Sequence, residues 1–92
     1  MRILVTPTFD RAVKKLHRQQ KLALDEAVRA IASQPDIGEA KIGDLAGVQV
    51  HKFRMGNLLC LLAYRVMDVG TLKLLMVGPH ENFYRDLKRA DH

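Results

Sequence analysis

A chain of 92 residues, 48% hydrophobic and 27% charged, is sized for one core, so a second domain is excluded and residues 1–92 are read as a single domain. Its longest apolar run, residues 58–64, falls short of the roughly 20 residues that a membrane span needs, and MRILVTPTF fits a first strand better than a signal peptide. With one cysteine there is no internal disulfide, a cytoplasmic setting is expected, and the formal net charge of +5 favours a polyanion or an acidic protein segment as partner.

Residues 2–5 read as a short strand, and Thr6-Pro7-Thr8 supplies a capping hydroxyl with proline in the first helical turn. Phe9, Val13 and Leu16, then Leu24, Val28 and Ile31 with Ala27, mark the apolar face of helical structure that ends at Gln34-Pro35-Asp36. Periodicity does not settle whether this is one helix or two. A continuous helix would be about 40 Å long, against a radius of gyration of about 12 Å for the whole domain, so a helical hairpin bent near residues 17–21 is expected.

Residues 35–47, with three glycines, read as a loop. Residues 48–55, 58–66 and 71–77 then read as strands, separated by the hairpin signals Gly56-Asn57 and Asp68-Val69-Gly70. A helix from about residue 81 to 89, with Phe83, Tyr84 and Leu87 on one side, closes the chain. The order β-α-α-β-β-β-α predicts an α+β fold: an antiparallel sheet with the helical hairpin on one face and a short C-terminal helix. The other face of such a sheet has room for a site.

Candidate chemistry concentrates in two places. In the first central strand Val48 and Val50 share a face with Lys52 and Arg54, whereas Gln49, His51, Phe53 and Met55 lie on the other. With Phe53 and Met55 in the core, Lys52 and Arg54 project together from the open face, with no acid in the strand to offset them. The second place is the turn after the last strand, where His80 precedes a helix and Tyr84 follows one turn later on a similar side. Such a histidine can exchange a proton at neutral pH, and such a phenol can hydrogen-bond a phosphate. Cys60, inside an apolar strand, reads as a buried small hydrophobe. The histidines at 17, 51, 80 and 92 lack the spacing of a zinc or haem site, no phosphate-binding glycine loop is present, and Ser33 is the one serine, so no metal or cofactor is expected.

The element order, the passage DLAGVQVHKFRM, the strand LLAYRV and the ending VGPHENFYRDLKR together resemble the RelE/ParE superfamily of bacterial toxins, particularly its RelE/StbE branch. The likeness covers nearly the whole chain and is strongest in HENFYRDLKR, residues 80–89. It implies the toxin of a type II toxin–antitoxin pair: a metal-independent endoribonuclease that cuts mRNA on the ribosome by attack of the 2′-hydroxyl on the adjacent phosphate. Lys52, Arg54, His80 and Tyr84 match the family's catalytic positions, and His51, Arg65, Glu81 and Arg85 are carried as substrate-binding candidates. Lys52 and Arg54 would stabilise charge on the phosphorane, and His80 would protonate the leaving oxygen. No carboxylate is evident on that face to take the 2′ proton, which leaves Glu81 and Arg54 as candidates. Where several relatives carry an arginine on the next strand, this chain has Leu61, and Arg65 is a possible substitute. The implied partners are a cognate antitoxin whose acidic segment covers the basic face in a hetero-oligomer, the ribosome and mRNA. A ParE-like inhibitor of DNA gyrase and a weakly catalytic antitoxin-binding module remain as alternatives.

Overall fold

The computed structural model of the chain describes residues 1–90. Strand β1 (Arg2–Val5) is followed by α1 (Pro7–Lys14), α2 (Arg18–Ser33), the two-residue strand β2 (Glu39–Ala40), the meander β3 (Gln49–Met55), β4 (Leu58–Asp68) and β5 (Thr71–Pro79), and α3 (Phe83–Ala90). The sheet order is β1-β5-β4-β3-β2. The meander is antiparallel, as its hairpin turns require, whereas β1 joins the edge parallel to β5, pairing Arg2 with Thr71 and Val5 with Leu74. Among the described residues no helix is long and apolar enough to cross a membrane.

The helix signals act as read. Thr6 caps α1, its hydroxyl accepting from Phe9 N–H at 3.0 Å and donating to Leu75 C=O at 2.7 Å, and Pro7 fills the first helical position. The helical segment is two helices, broken at residues 15–17 rather than 17–21. The cause is local: the Gln20 carboxamide oxygen accepts from the His17 backbone N–H at 3.0 Å, which starts a new helix there. Gly56, with φ +62°, opens the two-residue turn between β3 and β4.

The sheet is buried on both sides. Phe9, Leu24, Ala27 and Ile31 from α1 and α2 pack on Met55, Cys60, Leu62, Tyr64, Leu72, Leu74 and Val77, and Cys60 is only 1% exposed. On the opposite face Phe83 and Leu87 of α3, with Leu45, cover Val48, Val50, Leu61, Ala63, Leu75 and Met76. An eight-residue helix is not stable alone. Phe83 and Leu87, at 2% and 0% exposure, therefore hold α3 in place, each contributing about 1.5–3 kcal/mol by burial.

Tyr64 ties the loop before β2 to the sheet. Its hydroxyl donates to Pro35 C=O (2.6 Å), accepts from Gly38 N–H (3.0 Å) and lies 3.1 Å from the Gln49 carboxamide. The approach is so close that a Cβ at Gly38 would stand 2.5 Å from that oxygen, so only glycine fits. Tyr64→Phe leaves Pro35 C=O and Gly38 N–H without this partner. It should lower stability by about 1–2 kcal/mol, roughly 5–10 °C in Tm, measured by thermal unfolding; an unchanged Tm would show the hydroxyl to be dispensable.

His51 lies on the α1/α2 face, stacked with Phe53 at a ring-centroid distance of 6.4 Å, and burial lowers its pKa below the ordinary 6.5. Burial disfavours the charged form, so this contribution to stability is complete above pH 6.5 and is lost as pH falls through the folded-state value. Urea unfolding at about pH 5 and about pH 7.5 should show a larger acid loss for the wild type than for His51→Gln. Equal losses would mean that His51 does not drive it.

Candidate functional site

The two valines and two cations that share one side of β3 are separated by the roof over them. Val48 and Val50, at 0% and 2% exposure, lie in the cluster built around α3 and Leu45, while Lys52 and Arg54 lie further along the strand and are exposed. The face is therefore dry at one end and cationic at the other. Lys52 is opposite Leu61, which is opposite Gly78, and Arg54 is opposite Leu59, whose C=O accepts from His80 N–H at 3.2 Å. Two strand spacings thus set Arg54 and His80 about 10 Å apart across β4.

The helix begins at Phe83 rather than at residue 81, because Asn82 takes a left-handed conformation (φ +61°) and ends the turn before it. His80 is exposed in that turn, its C=O accepting from Phe83 N–H at 3.3 Å, and its ring meets Tyr84 edge-on at 6.4 Å between centroids. Tyr84 is half-buried and also meets Phe83 edge-on at 5.7 Å, which fixes the phenol at the margin of the roof.

Two side chains that the sequence did not single out join this set. Lys41, just after β2, places its ammonium 4.7 Å from the Tyr84 ring centroid and 2.9 Å from a Glu39 carboxylate oxygen. Glu39 pairs with Val50, so it lies on the same face as Lys52. The face thus does carry a carboxylate, supplied by β2. The hydrogen bond from Lys41 and its charge hold the Glu39 carboxyl below its usual range, with a lesser effect from Lys52; the same hydrogen bond and Tyr84 raise Lys41.

The remaining candidates are dispersed. His51 points to the opposite face, as its parity dictates. Arg65 donates to Ala46 C=O at 3.1 Å and lies four residues along β4 from Leu61, about 13 Å away, too far to replace a cation there. Arg85 is exposed and pairs with Asp86 at 3.4 Å; it falls about 200° around the helix from Phe83, on the outer side. Glu81 is exposed in the turn before α3. Among the described residues no three histidine, cysteine or acidic side chains gather as metal ligands, and His92 lies outside those residues.

The candidate site therefore groups Lys52 and Arg54 on the strand, His80 and Tyr84 at the turn and helix, and Lys41 with Glu39 at the sheet edge. Such a set can bind a phosphate and exchange a proton. No curated sequence matches the chain. Its structure is similar to a double mutant of the Escherichia coli toxin RelE in the free state, at 16% identity and a TM-score of 0.74, covering 97% of this chain and 90% of that one. It is similar also to the intact E. coli RelBE toxin–antitoxin complex (18%, TM-score 0.71, 87% and 96% covered) and to the archaeal RelE–RelB complex from Pyrococcus horikoshii (15%, 0.54, 87% and 94%). At these identities the likeness concerns the fold. A family model described as the ParE-like toxin of type II bacterial toxin–antitoxin systems matches residues 3–88, nearly the full length. With that match and this fold, the chain belongs to the ParE-like toxins of type II toxin–antitoxin systems, within the RelE/ParE superfamily.

Proposed function

We infer that this toxin is a ribosome-dependent mRNA endoribonuclease. The observation that carries the reading is the pair Lys52 and Arg54, held exposed on one side of β3 and facing, across β4, the edge-on pair of His80 and Tyr84. The 2′-oxygen attacks the adjacent phosphorus, the bond from phosphorus to the 5′-oxygen breaks, and a 2′,3′-cyclic phosphate and a 5′-hydroxyl result. Lys52 and Arg54 stabilise the charge that grows on the phosphorane oxygens. His80 gives its proton to the departing 5′-oxygen, and Tyr84 orients the phosphate. The 2′ proton goes to a base on the same face, and Glu39, within reach of the Lys52 charge, is a carboxylate that the fold supplies there.

The reading extends to partners. RelE of E. coli and of P. horikoshii are each found in complex with RelB. An antitoxin with an acidic segment covers the basic face of this chain in the same cytoplasmic setting, and charge complementarity speeds their association. Leu61, fully buried, favours a second reading in which cleavage is weak and antitoxin binding is the main property.

Primer extension on a transcript in a translating extract should show new 5′ ends with the wild type. His80→Ala should reduce them about 10²–10⁴-fold, and a 2′-deoxy substitution at the cut position should abolish them. An absence of new ends with wild-type protein overturns the ribonuclease reading, and a fall in supercoiling by purified gyrase would replace it with gyrase inhibition.

A further inference from the structure

Between Lys52 and Gly78 the middle strand contributes Leu61, at 0% exposure, so β4 gives the floor of the site no charge. The next cation comes from outside the meander. Lys41 N–H donates to Val48 C=O at 2.9 Å, which fixes the backbone where β2 leaves β3. Its side chain then reaches inward until the ammonium stands 4.7 Å from the Tyr84 ring centroid. The exposures of the ion pair are unequal: the Lys41 side chain is 19% exposed and that of Glu39 is 64% exposed. The cation is the held member and the carboxylate the exchangeable one. Glu39 feels the charge of both Lys41 and Lys52, which is the surrounding that a phosphate on this face would have. Lys41 also borders a depression of about 290 Å³ that it shares with Ile42, Asp44, Leu45, Tyr84 and Lys88.

We propose that Lys41 is a substrate-binding residue of this site: its ammonium takes a backbone phosphate of the RNA in exchange for the Glu39 carboxylate, supplying the cation that β4 lacks. This rests on the ribonuclease reading. Tyr84 fixes the direction of approach, because an ammonium over an aromatic face keeps its remaining N–H donors for an oxyanion. Departure of the carboxylate to solvent costs little, since an exposed ion pair is weak and a phosphate makes the stronger charge-assisted bond. The exchange frees Glu39 from Lys41 as substrate arrives, leaving it an unpaired carboxylate beside Lys52.

The test measures binding of a labelled single-stranded RNA 2′-O-methylated at every position, which has no free 2′-hydroxyl and cannot be cleaved, at salt concentrations from about 50 to about 200 mM. Lys41→Met should bind several-fold more weakly, with the slope of log K against log[salt] reduced by about 0.7. Lys41→Arg should restore both, and Glu39→Gln should tighten binding by removing the competitor. Wild-type slope and affinity in Lys41→Met, while Lys52→Met loses slope, would overturn the role of Lys41 and leave the ribonuclease reading standing. Weaker binding with an unchanged slope would assign Lys41 a structural role and also overturn the proposal. Failure of the wild type to bind the oligonucleotide at any salt would overturn the role of Lys41, while the ribosome-dependent ribonuclease reading is decided by the new 5′ ends in the translating extract.

Discussion

One hydroxyl sets the edge of the site. Tyr64 stands in the middle of the sheet at 0% exposure, and its oxygen is shared among Pro35, Gly38 and Gln49. Those bonds help to anchor residues 35–40, since a two-residue strand has too little pairing to hold itself in register. With them, Glu39 pairs with Val50 and Lys41 follows at a fixed height above Tyr84. A polar atom within an apolar core thus determines the position of a charged pair on the surface.

The second determinant is the unequal cover of the sheet. The α1/α2 face is committed to packing, and Phe53 and Met55 of β3 are absorbed by it. The other face is roofed by an eight-residue helix that spans only part of the strands. The candidate site lies at the margin of that roof, where apolar burial ends and exposed cations begin. The half-buried position of Tyr84 follows, since it lies on the boundary between Phe83 and Leu87 beneath and solvent beside it.

Much of this was legible in the sequence. The proline and threonine before α1, the glycine turns of the meander and the alternation in β3 each have a local cause, and each places its element correctly. Lys52 and Arg54 could be assigned a common face because strand parity is strict, whereas His80 meets Tyr84 from the turn before α3 rather than from the same helix. Lys41 and Glu39 could not be placed from the sequence. Their strand has no alternation to read, and their place depends on a hydroxyl 26 residues away from Gly38. The one available signal was that Lys41 is the single cation in residues 35–47. Periodicity likewise gave the apolar side of α3 but not the sheet face it covers, and the left-handed Asn82 that delays the helix leaves no periodic trace.

The parallel pairing of β1 with β5 joins residues 2–5 to residues 71–74, with Thr6 bonded to Leu75 across 69 positions. Contacts so distant in sequence form late and slowly. The amino-terminal strand has no edge to join until residues 71–75 have been synthesised, and residues 80–87, which complete the opposite face, follow them out. On a translating ribosome the native sheet therefore cannot close before residues 71–74 have emerged. Until then the chain exposes apolar strands, and the candidate site lacks His80 and Tyr84. The residues proposed to act on RNA come together only after the sheet that carries them has closed.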